Sequence, residues 1–192
     1  MNVQLLALAG STRTHSFNKQ LVKIAADAAR AAGATVTYVD LRDFPLPLFD
    51  QDLEDAQGLP ENAKKLKELF KAHDGFLLAS PEYNSSITAV LKNAIDWASR
   101  AGTDDEPSLI AYRGKTAALM SASPGGLGGL RGLVTVRSIL SNIGVVVIPD
   151  QVSVSQAHEA FDGEGQLKDQ HKQKSIQKLA RSLVELTAKL KA

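Results

Sequence analysis

The chain has 192 residues, of which 44% are hydrophobic and 22% are charged, and its formal net charge is +1. These values predict one soluble globular domain over residues 1–192 and argue against nucleic-acid or membrane partners, because the sequence has neither a strong basic field nor an apolar stretch of membrane-spanning length. The absence of cysteine excludes disulfides, thiol catalysis and iron–sulfur ligation, and it is consistent with a cytoplasmic location.

Strand and helix patterns alternate along the chain. The first strand is a continuous apolar run, which is typical of a strand buried on both faces. The first helix places Leu21, Ile24 and Ala25 on one side and ends at a glycine. The predicted elements, in chain order, are a strand at 3–9, a helix at 16–32, a strand at 35–39, a loop at 41–55, a helix at 60–71, a strand at 75–79, a helix at 87–97, a strand at 116–120, a helix at 130–140, a strand at 145–148 and a helix at 172–190.

Five strands alternating with five helices predict an α/β fold with a doubly wound parallel sheet. Right-handed crossovers place helices on both faces of such a sheet. Its ligands bind outside the carboxyl ends of the strands, near the point where the strand order reverses. The segments of interest are therefore those that follow strands one, three and four, namely residues 11–18, 81–86 and 121–129.

The first of these segments belongs to the sequence GSTRTHSFN at residues 10–18. It offers hydroxyls, backbone N–H groups and the Arg13 guanidinium at the start of a helix, where an anion is stabilised. Neither GxGxxG nor GxxxxGK[ST] is present, so a single terminal phosphate, as in a mononucleotide such as FMN, fits better than a pyrophosphate. The alternative is that Ser16 or Asn18 only caps the helix. A cap needs one such residue, however, and this loop has several.

The second and third segments are SPEYNSS at residues 80–86 and SASPGGLGG at residues 121–129. Tyr83 is suited to packing against a planar heterocycle, whose polar edge the N–H groups of residues 82–84 would contact. The alternative is an ordinary strand exit in which Asn84 or Ser85 caps the next helix. The glycines of the third segment allow the backbone to approach a ligand closely, although a flexible turn has the same composition.

In combination these motifs resemble the NADPH-dependent FMN reductase family, a flavodoxin-like group that includes quinone, chromate and azo-dye reductases. The resemblance is carried by GSTRTHSFN, by SPEYN at residues 80–84, by LKNAIDW at residues 91–97 and by SASPGGLGG. It runs from Val3 to about Asp150. It implies a flavodoxin-like sheet of five parallel strands in the order 2-1-3-4-5.

The resemblance also implies which residues bind FMN, and no side chain is assigned as catalytic because hydride transfer would occur at the flavin N5. No metal-ligand spacing is present. One departure is that Thr88-Ala89 follows Ser86-Ile87 where the family usually has proline and glycine, a change expected to leave FMN contacts unaltered. The implied cofactor-binding residues are Ser11, Arg13, Ser16, Phe17 and Asn18 in the phosphate loop, Pro81, Glu82, Tyr83 and Asn84 along the isoalloxazine, and Ser123 and Gly126 beside the ring.

The activity implied by the resemblance is that of an oxidoreductase using bound FMN. NADPH or NADH would supply a hydride, and a quinone or similar small acceptor (free flavin, azo dye or chromate) would then take two electrons in a ping-pong cycle. Arg100 and Arg113 flank a loop expected to be mobile, although no site for the 2′-phosphate of NADPH is identified. A non-enzymatic flavodoxin-like electron carrier or a flavin redox sensor remains the alternative. The near-neutral charge and Arg13 argue against a carrier.

The family usually forms homodimers or homotetramers with the flavin near subunit boundaries. An apolar segment beside the expected cofactor site, which includes Leu127 and Leu130, is a candidate contact surface. Leu133 and Val134 are expected instead on the inner face of the fourth predicted helix. Arg131 and Arg137 on that helix are expected to be either exposed or at an interface.

Overall fold

Five parallel strands form one sheet in a computed structural model that describes residues 2–192. The strands are β1 (Gln4–Ala9), β2 (Thr35–Asp40), β3 (Gly75–Ala79), β4 (Thr116–Ala122) and β5 (Val146–Val154). Their order is β2-β1-β3-β4-β5, with every neighbouring pair parallel. The predicted flavodoxin-like strand order is therefore confirmed.

The helices cover both faces of this sheet. They are α1 (Phe17–Ala31), α2 (Gln51–Gln57), α3 (Glu61–Ala72), α4 (Ala89–Ser99), α5 (Leu130–Asn142), α6 (Ala157–Ala160) and α7 (Gln170–Lys191), and a 3₁₀ turn occupies Leu41–Asp43. The five predicted helices are present, with ends that shift by up to two residues. The two short helices α2 and α6 were not predicted. Helix α2 buries no residue, so it leaves no apolar periodicity in the sequence.

Strand β5 is longer than predicted. The expected strand at 145–148 stops before Pro149, which lacks a ladder donor. In the structure the pairing changes register between Ala117↔Val147 and Leu119↔Gln151, so that the proline lies in an irregular stretch and the strand continues to Val154. Arg137 braces this stretch by donating to the carbonyl oxygen of Ile148 at 2.8 Å. Proline is tolerated there because β5 is an edge strand.

The sheet separates two apolar cores, since alternate residues of each strand point to opposite faces. On one face, Leu5 and Ala7 pack against α1 and α7. On the other face, Leu6 and Leu8 pack against α3, α4 and α5. Strands β3 and β4 are buried along their whole length. This explains why the central strands appear in the sequence as continuous apolar runs rather than as alternating patterns.

The sheet brings the three predicted loops together at one edge. Ala9 pairs with Ala79, and Ala79 with Met120, so β1, β3 and β4 end side by side. Close packing continues just past β1, where a Cβ on Gly10 would lie 2.9 Å from the Leu91 side chain. Within residues 2–192, no helix is long and apolar enough to cross a membrane.

Candidate functional site

A cavity of about 150 Å³ lies among the three loops at the carboxyl edge of the sheet. Of the residues predicted to bind the cofactor, all but Asn84 and Gly126 line it. Ala122 and Pro124, which were not singled out individually, also belong to its wall. The lining residues are Ser11, Arg13, Ser16, Phe17, Asn18, Pro81, Glu82, Tyr83, Ala122, Ser123 and Pro124.

The first loop ends at the uncapped start of α1. Ser16 occupies the N-cap position with extended backbone angles, but its hydroxyl makes no cap hydrogen bond. The N–H groups of Phe17 and Asn18 at this helix start therefore lack a helical partner. These donors and the Ser16 hydroxyl lie at the cavity, an arrangement that favours an anion. The alternative that Ser16 merely caps the helix is wrong.

Asn18 contributes to the site mainly by holding it together. Its Nδ2 donates to the carbonyl oxygen of Ala122 at 2.8 Å, and its Oδ1 accepts from the Ala122 N–H at 3.0 Å. The side chain is only 3% exposed. Because both ends of the amide are occupied, Asn18 ties the first loop to the end of β4, and its backbone N–H is the group left for an anion.

Arg13 is held at the cavity wall by aromatic packing. Its guanidinium lies 5.2 Å from the centre of the Phe17 ring and donates to the carbonyl oxygen of His15 at 2.6 Å. The Phe17 ring in turn stacks on Phe161, with centroids 6.0 Å apart and planes nearly parallel. The Arg13 guanidinium thus lies beside the uncapped start of α1, and both of these groups favour a negatively charged ligand.

The second loop is a tight hairpin. Tyr83 and Ser86 exchange N–H···O=C hydrogen bonds of 2.9 and 3.0 Å. Between them, Asn84 and Ser85 have positive φ angles of 50° and 67°, as a two-residue I′ turn requires. The Tyr83 N–H is therefore not available to a ligand. The alternative that Asn84 or Ser85 caps α4 is also wrong, since the N-cap is Thr88.

The Glu82 carboxylate is bonded to the start of α5. It accepts from Arg131 Nε at 2.8 Å and from the Gly132 N–H at 3.2 Å. The N-cap position of α5 is Gly129, which has no side chain, so Glu82 supplies the missing acceptor from a neighbouring loop. Arg131, which had been expected to be either exposed or at an interface, remains largely exposed while it makes this pair.

The third loop is held in a defined conformation. Gly128 has a φ of 62°, and a Cβ there would lie 2.7 Å from the Val154 backbone. The Ser123 N–H donates to the Val154 carbonyl oxygen at 3.0 Å. Ser123 lines the cavity as predicted, whereas Gly126 does not. The alternative of a flexible turn does not account for these fixed contacts.

The LKNAIDW motif serves the scaffold rather than the cavity. Asn93 Nδ2 and Trp97 Nε1 both donate to the carbonyl oxygen of Pro47, each at 2.8 Å. The Asn93 Oδ1 accepts from the Phe49 N–H at 2.8 Å. The motif therefore fastens the proline-containing loop after β2 to α4.

Neither of the two arginines that flank the loop after α4 lines the cavity. Arg100 follows the end of α4 and pairs with Glu54 at 2.8 Å. Arg113 precedes β4, and the adjacent Gly114 N–H bonds to the Gly144 carbonyl oxygen at the edge where strands begin. The loop itself is anchored by an ion pair between Lys67 and Glu106.

One residue that the sequence did not indicate contacts the first loop from outside. Arg42, in the 3₁₀ turn after β2, donates to the Thr12 carbonyl oxygen and to Thr14 Oγ1. No local pattern links positions this far apart in the chain. Within residues 2–192, no group of three or more histidine or acidic side chains is placed to hold a metal ion.

The donor set fits a planar ligand that carries one phosphate. Anion donors lie at the α1 end of the cavity, and Pro81 and Tyr83 offer flat surfaces at the other. The Glu82 and Asn84 N–H groups have no partner within residues 2–192. Of the two residues, Glu82 lines the cavity, so its N–H is a donor that remains for the polar edge of a ring.

Comparison with known proteins identifies the family of the chain. The family model described as NADPH-dependent FMN reductase matches residues 3–159, slightly further than the motifs alone indicated. An NAD(P)H-dependent FMN reductase of Pseudomonas aeruginosa is 33% identical over 183 residues, covering 95% of this chain and 94% of the relative. An NADPH:quinone oxidoreductase of Arabidopsis thaliana is 34% identical over 193 residues, covering 98% and 93%.

Among solved structures, the flavoenzyme NAD(P)H:(acceptor) oxidoreductase FerB from Paracoccus denitrificans has a TM-score of 0.78 at 27% identity, covering 97% of this chain and 98% of FerB. The predicted enzyme class, the FMN cofactor and the NAD(P)H co-substrate are confirmed at the level of the family. The chain belongs to the NADPH-dependent FMN reductase family of flavodoxin-like oxidoreductases.

Proposed function

We propose that this protein transfers electrons from NAD(P)H through FMN to a quinone or a similar small acceptor, such as free flavin, an azo dye or chromate. The observation that carries the proposal is the cavity itself, which has anion donors at one end and an exposed tyrosine at the other. The Arabidopsis relative, named for quinone reduction, supports the choice of acceptor.

The phosphate end would be formed by groups of the first loop. The uncapped N–H groups at the start of α1, the Ser16 hydroxyl and the Arg13 guanidinium would share the negative charge. Ser11 also lines this end, and its Oγ accepts from the Arg13 N–H at 3.2 Å. Asn18 would act by holding these donors against the end of β4.

The ring end would be formed by the second and third loops. Pro81, Tyr83 and Ser123 would flank the isoalloxazine, with the Glu82 and Asn84 N–H groups near its polar edge. The Glu82 charge is already balanced by Arg131 and the start of α5, so it would not oppose electron transfer onto a nearby ring. Bound FMN would accept a hydride and pass on two electrons, a ping-pong cycle if both substrates use the same face in turn.

The open mouth of the cavity favours acceptors of varied shape. Tyr83 is 62% exposed, and no part of the chain between residues 2 and 192 covers the ring end. An exposed reaction site of this kind would admit flat quinones and other small oxidants without a dedicated pocket. Such chemistry is expected in the cytoplasm, where NADPH is supplied.

We also propose that the protein assembles as a homodimer or homotetramer. Leu127, Leu130 and Val134 are 52%, 40% and 65% exposed, and they lie just before α5 and in its first two turns. This set is named the α5 apolar surface. Exposed apolar clusters beside a site are typical of contact surfaces. The expectation that Val134 faces the core is wrong, whereas Leu133 is buried as expected.

An anaerobic NADPH titration of the FMN-loaded protein tests the function. Bleaching of the visible flavin bands by one equivalent, followed by their recovery when a quinone is added, is the expected result. Tight FMN binding without bleaching would overturn the reductase proposal and favour an electron carrier or redox sensor. Bleaching without recovery on addition of quinone would overturn the choice of acceptor alone.

A further inference from the structure

The first loop is pinned from outside by Arg42. Its Nε donates to the Thr12 carbonyl oxygen at 2.9 Å, its Nη2 donates to the same oxygen, and Nη2 also donates to Thr14 Oγ1 at 2.8 Å. Thr12 and Thr14 are the two neighbours of Arg13. The residue that presents a guanidinium at the cavity is thus fixed on both sides by a second guanidinium behind the loop.

Arg42 is itself held in place. Asp40 Oδ1 accepts from the Arg42 N–H at 3.0 Å, while Asp40 Oδ2 pairs with Lys19 Nζ at 2.5 Å. Lys19 lies in the first turn of α1 and is almost fully buried. Burial raises the pKa of Asp40, but the bonds from Lys19 and from the Arg42 N–H outweigh burial and leave it below its ordinary value. The end of β2 is thereby tied to the helix that the loop precedes.

Residues 12–15 have few other restraints. They are exposed, and within the loop only Ser11 Oγ and Arg13 Nη2 contribute hydrogen bonds to them. Within residues 2–192, Arg42 is the sole residue outside the loop that bonds to this stretch. Ordering a free backbone segment costs conformational entropy, so a loop that is already ordered binds its ligand more tightly.

We propose that Arg42 is a positioning residue that shapes the first loop for a terminal phosphate and so makes the cavity prefer FMN over riboflavin. This inference rests on the proposed function. The pairing with Thr12 uses the fork of the guanidinium, which lysine lacks. Geometry and charge can therefore be separated by substitution, because Arg42→Lys keeps the charge and loses the fork.

The test compares FMN and riboflavin binding by flavin fluorescence quenching on protein freed of flavin. The variants are Arg42→Met, Arg42→Lys and the control Arg113→Met, an exposed arginine at the opposite edge of the sheet. For Arg42→Met we expect the FMN Kd to rise on the order of tenfold while the riboflavin Kd stays within about twofold. Arg42→Lys should resemble Arg42→Met more than wild type, and Arg113→Met should match wild type.

Other outcomes overturn the inference in distinguishable ways. Equal weakening of both flavins by Arg42→Met would mean that the residue only stabilises the fold. An unchanged FMN Kd in Arg42→Met would overturn the inference and leave the proposed function intact. A wild-type protein that binds neither flavin would overturn the proposed function and this inference together.

Discussion

At the scale of single residues, the motif positions divide between those that face the cavity and those that hold it. Ser16, Arg13 and Tyr83 present groups to the cavity. Asn18 and Glu82 direct their polar ends into the protein, towards β4 and α5. The side chains that hold the cavity need surroundings as specific as those that face it, because a buried amide or carboxylate requires hydrogen-bond partners in fixed positions.

Replacing Asn18 by alanine should lower the free energy of unfolding by about 2 kcal/mol, because the Ala122 N–H and carbonyl oxygen lose their partners in a buried place. Urea unfolding followed by circular dichroism measures the change. Asn142→Ala, at an exposed position of α5, is the control and should stay within about 0.5 kcal/mol of wild type. If the two variants were equally stable, the hydrogen bonds from Asn18 to Ala122 would not hold the first loop to β4 as described.

The sequence predicts which loops meet but not which side chains close them. Parallel topology alone places residues 11–18, 81–86 and 121–129 at one edge, and the cavity lies among them. The Arg42–Thr12 and Arg131–Glu82 contacts join positions 30 and 49 residues apart, so no local period records them. Likewise, nothing local in the sequence links Gly129, at the N-cap position of α5, to the Glu82 carboxylate that accepts from the Gly132 N–H in place of a cap.

At the scale of elements, the ends of strands and helices are joined by single polar side chains. Thr88 Oγ1 accepts from the Leu91 N–H at 3.2 Å and donates to the Gly10 carbonyl oxygen at 2.7 Å. One hydroxyl therefore caps α4 and fixes the residue after β1. This gives a structural reason for threonine where the family usually has proline.

Thr88→Val should destabilise the protein by about 1–2 kcal/mol, because it removes the cap of α4 and leaves the buried Gly10 carbonyl without a partner. Thr88→Ser keeps the hydroxyl and should recover most of the loss. Thermal unfolding of the two variants beside wild type makes the comparison. If the Thr88→Val and Thr88→Ser proteins were equally stable, the Thr88 hydroxyl would not stabilise the fold.

The loop after α4 is fastened to α3 by a nearly buried ion pair. Glu106 accepts from Lys67 Nζ and from the Gly102 N–H, and Lys67 also donates to the Arg100 carbonyl oxygen at 2.6 Å. The Lys67 bond, helped by Gly102 and Lys71 against the opposing effect of burial, lowers the pKa of Glu106 from 4.5 to about 2. This anchor restrains one end of the contact between α3 and the loop that had been expected to be mobile.

Glu106→Gln should lower stability at pH 7 by roughly 2 kcal/mol, because Lys67 keeps its charge in a buried place without its counter-ion. A carboxyl whose pKa is depressed in the folded state stabilises at pH above its unfolded value and loses that effect as pH falls through its folded value. The difference in the free energy of unfolding between wild type and Glu106→Gln should therefore narrow as the pH falls from 4.5 to about 2. Urea unfolding at pH 7 and pH 3 measures this difference.

The control for this experiment is Asp105→Asn, an exposed neighbour that makes no hydrogen bond within residues 2–192. It should match wild type at both pH values. If the loss of stability in Glu106→Gln stayed constant from pH 7 to pH 3, the ion pair would not be the source of that loss. FMN binding should be unchanged in both variants, because this loop lies away from the cavity.

Element lengths show where sequence patterns lose their reliability. Strands β1, β3 and β4 follow from apolar runs because both faces of the sheet are covered. Strand β2, at an edge and only partly buried, follows instead from its β-branched residues. The second half of β5 does not follow from an apolar run, since Pro149 and Asp150 interrupt the run while the irregular pairing carries the strand past them. Helix α2 rests on its Asp50 cap, with no buried face that a periodic pattern would reveal.

At the scale of the whole molecule, the two cores leave one helix with an apolar outer side. On α5, Leu133, Val136 and Leu140 face the core, as residues three and four positions apart do. Val134 is about 100° further round the helix than Leu133, so it points to solvent with Leu130 one turn before it. The expectation for Val134 was wrong because this position lies outside the face of α5 that Leu133, Val136 and Leu140 share.

This geometry makes the α5 apolar surface the natural test of assembly. Val134→Lys should weaken self-association on the order of tenfold or more, since it would place a charge within an apolar contact. Sedimentation velocity over a range of concentrations measures it. Thermal stability of the dissociated chain should barely change, because the Val134 side chain lies outside both cores. Leu190→Lys, at an exposed position near the end of α7, is the control and should assemble as wild type does. If Val134→Lys assembled at the same concentrations as wild type, copies of the chain would meet through another surface. If the wild-type protein were a monomer, the proposal of assembly would fall, while the cavity and its chemistry would be unaffected.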